Sequence, residues 1–164
     1  MTTNVSTERL TRAVLALLDE AFAGPKGDQS WFTDRGPRAG LLGFLDGISH
    51  EAASTPPGPG RATIVAHANH VRFGLNLANR WFGGEDAYAS VDWAKSWAIQ
   101  SLDAAGWQQL RQELRREYED LRQSAASAGK WVDNDVALTG ILAHIAHAAY
   151  HLGAIRQIAR SVMP

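Results

Sequence analysis

Apolar residues recur every three to four positions along four separate stretches of this chain, the spacing that builds one buried helix face. In the first, Leu10, Val14, Leu17, Leu18 and Phe22 follow a Ser6 N-cap, and Gly24-Pro25-Lys26-Gly27 stops the run. The second spans Thr63–Phe82, with Thr63 as cap and Gly83-Gly84 as stop. Its face carries His67, His70, Gly74, Leu77 and Trp81. The third begins after an Asp103 cap and runs from Ala104 to about Ser127, with Trp107, Leu110, Leu114, Tyr118 and Leu121 as its stripe. Its outer face mixes both charge signs, as a solvated helix does. Ala128-Gly129-Lys130 ends it, and Trp131-Val132 leads into the fourth stretch, Asn134–Met163, capped by Asp133 or Asn134.

The connections are uneven. Asp28 to Arg61 reads as loop, with a short helical piece at Leu41–Leu45 and a proline-rich spacer over Ser54–Arg61. Glu85 to Leu102 reads as an irregular link with a helical turn, laying Trp93 and Trp97 over the core. The six tryptophans are expected in the core and over the end of the bundle rather than as a stacking platform for bases. No internal repeat or strand pair is visible. The expected fold is all-α, a four-helix bundle in a single domain over residues 1–164. The long connections after the first two helices permit up-down-down-up order as well as simple up-down.

Composition narrows the chemistry. The net charge is −1, and the densest basic cluster, Arg111, Arg115 and Arg116, is interleaved with glutamates. No basic stripe for nucleic acid results. With no cysteine, disulfides, thiolate metal sites and a cysteine nucleophile are excluded, so any metal must use nitrogen or oxygen ligands. Ser101 and Ser161 have no partnered base in view, which leaves serine nucleophiles unsupported. No apolar run reaches the ~18–20 residues of a membrane span. No basic segment followed by an apolar one opens the chain, so a cytoplasmic location is expected.

The fourth stretch holds three of the six histidines. At about 100° per residue, His147 lies roughly 60° and His151 roughly 20° from His144, all on the apolar face with Ile141, Ile155, Ile158 and Val162. His147 and His151 stand one turn apart and can present two imidazoles to one ion. A third from the second helix, His67 or His70, would give three neutral nitrogens and open positions, the pattern of a catalytic site. Such an ion lowers the pKa of a bound water or thiol, or polarises a carbonyl. Burying two unpaired rings costs about 1–3 kcal/mol each, a cost that a shared ion removes. Single histidines are more often core residues paired to carbonyls, tyrosine or water. His50 is expected on the surface of its loop. Gly153 is placed to permit close helix approach, and Arg156 to meet a carboxylate or an anionic substrate.

The run His147-Ala-Ala-Tyr-His-Leu-Gly-Ala-Ile-Arg-Gln157 resembles the C-terminal signature of the DinB family of four-helix-bundle metalloenzymes. Thr63-Ile-Val-Ala-His-Ala-Asn-His-Val-Arg-Phe73 resembles that family's first-ligand helix, and Asn79–Glu85 and Asp92–Trp97 also fit. The similarity covers essentially the whole chain. It implies a divalent ion on one histidine of the second helix and on the pair His147 and His151. Relatives carry the first ligand about two turns after a capping Ser or Thr, and counting from Thr63 this favours His70 over His67. His67 and His144 become pocket or supporting groups. Ala154 departs from the family, which often has Gln there.

Two classes of function follow. In one the chain is a divalent-metal-dependent enzyme. By resemblance to mycothiol-dependent maleylpyruvate isomerase and bacillithiol transferases, it would move a small thiol onto an electrophile, or hydrolyse a small molecule with metal-activated water. Zinc, nickel and iron all suit imidazole. In the other it is a non-catalytic metal-binding or stress-response protein with a structural ion. A homodimer is the expected assembly, with neither nucleic acid nor membrane as partner. A polar cleft over the ion, lined by the Asp28–Arg61 loop, would mark the enzyme.

Overall fold

The computed structural model describes residues 5–163. Among them six α-helices form, and no strand. They are α1 (Thr7–Phe22), α2 (Leu41–Asp46), α3 (His50–Ser54), α4 (Ile64–Phe82), α5 (Ala104–Ala126) and α6 (Asp135–Val162). Short 3-10 turns cover Trp93–Trp97 and Ala128–Lys130. α1 and α4 are each flanked by both α5 and α6. Among the described residues no helix is long and apolar enough to cross a membrane.

Local chemistry sets the helix starts. The side chains of Ser6, Thr63, Asp103 and Asn134 each accept a backbone N–H three residues on, at Arg9, Ala66, Gly106 and Ala137. Each fills one of the orphan donors of a first turn. Asn134, not Asp133, is the α6 cap. The apolar stripes then face inward. Leu18, Phe22, Ile64, Leu75, Leu114, Leu121, Ile141 and Ile155 are fully buried, each stabilising by about 1.5–3 kcal/mol on transfer from water.

Two adjacent acids of α1 depart from the stripe and organise the surroundings. Asp19 is buried and accepts from the Tyr118 hydroxyl at 2.8 Å, Arg122 Nε at 2.7 Å and Lys26 Nζ at 2.6 Å. It joins α1 to α5. Burial opposes its charge, but those partners outweigh it and hold its carboxyl below the ordinary value. Glu20 Oε1 lies 2.9 Å from the N–H groups of Trp31, Phe32 and Thr33 and 3.0 Å from the Thr33 hydroxyl. Burial pushes the Glu20 carboxyl up, yet those N–H groups and the Ser30 hydroxyl bring it down to about 2. One carboxylate thus folds the segment after α1 back onto the helix.

The long connection is more helical than the spacing suggests. α2 was expected as a short piece, but α3 lies within the presumed loop, started by a Ser49 cap that accepts from Ala52 N. His50 is therefore a half-buried helix residue with Nδ1 3.2 Å from Glu51, not a surface loop residue. Gly40 is required for this path: a Cβ there would sit 2.3 Å from Gly24 N and 2.6 Å from Phe22 O. Gly153, by contrast, is exposed with nothing near its would-be Cβ, so it makes no close helix contact. Of the six tryptophans, Trp107 and Trp131 are buried, and their indole N–H groups donate to Ile48 O and Ala125 O. Trp31 is 71% exposed, which places it outside the core.

Candidate metal centre

α4 and α6 pack side by side and turn their histidine faces toward each other. His70 comes from α4, one turn beyond His67, and His147 and His151 come from α6. One ring nitrogen from each of His70, His147 and His151 lies within 4.8 Å of the other two. His151 is 2% exposed, and His70 and His147 are half-buried. Of the two open choices on α4, His70 is the one that joins the cluster. His67 stands behind it, with Nδ1 2.8 Å from His151 Nδ1. His144 is absent from the group and faces a neighbouring cavity.

The connector between α4 and α5 fixes His70. Its 3-10 turn buries Ser96, whose hydroxyl donates to Trp93 O at 2.6 Å. That hydroxyl has one proton, so at 2.7 Å from His70 Nδ1 it must accept. His70 then carries its proton on Nδ1 and a free lone pair on Nε2. Asn69 donates to Ser96 O at 2.8 Å and accepts from Arg72, which clamps the turn onto α4. Trp97 stacks on the His70 ring at 4.2 Å. Neither Ser96 nor Trp97 is visible as a partner in the sequence, because they sit 26 and 27 residues beyond His70.

On α6 the Nε2 atoms of His147 and His151 lie 2.9 Å apart. Two nitrogens each roughly 2.0–2.1 Å from one ion stand roughly 2.9–3.4 Å apart at right or tetrahedral angles. The pair therefore fits an edge of such a coordination shell. The rings are neutral at physiological pH. Burial and then the neighbouring His147 and His67 bring His70 down to about 4. Burial, followed by His147, His67 and His70, takes His151 to about 3. Burial also lowers His147 and His67. Neutral imidazoles are what a cation requires. The donor set contains no carboxylate, so a divalent ion held there would keep its full charge for an exogenous ligand.

Beside this cluster lies a cavity of about 560 Å³ between α4, α6 and the segment following α4, touching both His70 and His147. Residues 28–61 take no part in its walls, and its lining is largely apolar, so the expected polar cleft under that loop is not what adjoins the histidines. Arg156 lies elsewhere, donating to Asp34 at 2.7 Å and to Ala39 O at 2.7 Å. It ties α6 to the 34–39 segment, the carboxylate alternative of the two expected for it. No family model, curated protein or solved structure matches the chain.

Proposed function

We propose that this chain is a divalent-metal-dependent enzyme of the DinB type, a four-helix bundle formed by α1, α4, α5 and α6. His70, His147 and His151 would hold the ion. The observation that carries this reading is the convergence of three neutral ring nitrogens within 4.8 Å, next to a cavity large enough for a small molecule. A structural ion has no need of such a space; a reacting one does. The DinB resemblance supports the same residues.

The reaction favoured is transfer of a small thiol to an electrophile, with hydrolysis as the nearest variant. A divalent ion there supplies Lewis acidity, lowering the pKa of a thiol or water and polarising a carbonyl. The chain's own contribution is positional. Ser96 holds the His70 tautomer, Trp97 fixes the ring plane, and His67 backs His151. Largely apolar walls border the histidines' open side. A homodimer belongs to the proposal, supported by Leu142 and Tyr150, large side chains exposed along α6 outside the cavity; sedimentation equilibrium tests it.

Untagged protein, supplied with zinc, nickel or iron and freed of excess, should retain about one ion per chain. Metal-loaded protein is then incubated with a panel of small thiols and an electrophile, and with ester and amide substrates. Thiol-dependent turnover supports transfer. Turnover without thiol supports hydrolysis. Retained metal with neither activity leaves a binding protein, and no retained metal refutes the site.

A further inference from the structure

We propose that the cavity beside His70 and His147 seats a neutral ligand with a flat, apolar body and a single donor atom directed at the histidines. This rests on the metal-site reading for the ligand's reactive end, and on the cavity alone for its body. The volume of about 560 Å³ falls inside the roughly 300–1,000 Å³ of small-molecule sites. Trp81, Phe82, Tyr88 and Trp93 supply aromatic walls, and the remaining non-histidine lining is glycine, alanine and valine. Trp93 is 46% and Tyr88 42% exposed. The fold thus leaves two large rings uncovered at the edge of the cavity, where an aromatic ligand would cover them.

Charge points the same way. Among the described residues that line it, none is Asp, Glu, Lys or Arg. A carboxylate, sulfonate or ammonium group on the body of the ligand would lose its water there and meet no opposite charge. What the lining offers instead is neutral polar groups without a hydrogen-bond partner among the described residues: the His144 ring, the Tyr88 hydroxyl and the Trp81 and Trp93 indole N–H groups. His144 faces the cavity and makes no hydrogen bond among the described residues. Burial, with His147 beside it, holds His144 at about 4, so it is a neutral ring with one donor and one acceptor. The ligand it suits carries a hydroxyl, carbonyl or amide rather than a formal charge. A polar sugar thiol does not match these walls, which assigns the cavity to the electrophilic partner of a transfer reaction or to the substrate of a hydrolysis.

Gly140 gives a clean way to fill the space. It lines the cavity, it is not among the clustered histidines, and a Cβ built on it meets nothing within 4 Å. Zinc-supplied protein is first assayed for zinc. It is then titrated with N-phenyl-1-naphthylamine, whose fluorescence rises in apolar surroundings, and with its 8-sulfonate, the same skeleton bearing a fixed negative charge. The expected result is saturable binding of the neutral probe and roughly tenfold weaker binding of the sulfonate. Gly140→Phe should weaken the neutral probe by roughly tenfold or more while zinc content is unchanged. Gly140→Leu serves if circular dichroism shows that phenylalanine disturbs the helix. Equal affinity for the two probes, no saturation, or unchanged affinity in a folded Gly140 variant overturns the proposal. A wild type that holds no zinc yet binds the neutral probe selectively refutes the metal reading and supports the cavity. One that holds zinc and shows no saturable binding does the reverse.

Discussion

His151 meets His147 through one ring nitrogen and His67 through the other, Nε2 to Nε2 at 2.9 Å and Nδ1 to Nδ1 at 2.8 Å. A neutral imidazole has a single N–H, so His151 can donate to only one of them. Without an ion, both contacts are satisfied either when His67 donates to His151 and His151 to His147, or when His147 donates to His151 and His151 to His67. With an ion on both Nε2 atoms, the His151 proton must sit on Nδ1 and His67 must accept it. The three rings form a relay that can run either way when empty and that an ion on both Nε2 atoms would restrict to one direction.

His147→Ala should reduce retained zinc from about one ion per chain to near zero, with helix content unchanged by circular dichroism. Elemental analysis of the dialysed variant checks it. Retention at the wild-type level would show that His147 is not a ligand.

His67→Phe removes the acceptor behind His151 without touching the ion. Affinity for zinc should fall by about 10–100-fold in competition with a chromophoric chelator. His67→Gln, whose side-chain carbonyl can accept the same proton, should recover most of it. Equal loss in both variants would mean that packing, not the hydrogen bond, is what His67 contributes.

The metal-free protein should lose stability as pH falls from about 6.5 toward 4, above the range where carboxylates usually matter. Burial lowers His70 and His144 to about 4 and His151 to about 3. The unfolded chain takes up those protons first, so the stability present above about pH 6.5 drains away below it. Urea melts across this range test the slope, and His144→Leu, which removes one such group outside the ligand set, should flatten it.

Glu20→Gln should cost roughly 2–3 kcal/mol by urea or thermal denaturation, since an amide oxygen accepts the three N–H groups more weakly than a carboxylate. Linkage gives the window. The Glu20 carboxyl is lowered from 4.5 to about 2, so its contribution is full above about pH 4.5 and is lost as pH falls through about 2. The difference in stability between wild type and variant should shrink over that interval.

The long helices were legible because their evidence is local. Leu110, Leu114 and Leu121 recur at helical spacing beside an Asp103 cap, and that pattern by itself specifies α5 and its buried face. The pairing of His147 with His151 was legible for the same reason. The choice of His70 came only with the family resemblance, since periodicity places His67 on the same face. What escaped is what depends on distance along the chain. α3 is too short to show a period, and nothing before Ser49 announces it. Glu20 meets partners 11–13 residues away in a stretch without pattern. Ser96 acquires its role through a turn whose path the aromatic residues around it do not reveal. The cavity is the space left between elements, and no single stretch encodes a space.

Gly74 lies in the middle of α4, buried against the histidine face. An alanine methyl there would touch His144 Cε1 at 3.7 Å and His147 Cε1 at 3.8 Å, both ordinary contacts. Alanine therefore fits, and in a helix interior it should be more stable than glycine by about 0.5–1 kcal/mol. The chain forgoes that gain at the point where two imidazoles meet the cavity. Gly74→Ala should raise the melting temperature while narrowing the approach to His147, so rigidity and access pull in opposite directions at this one backbone position.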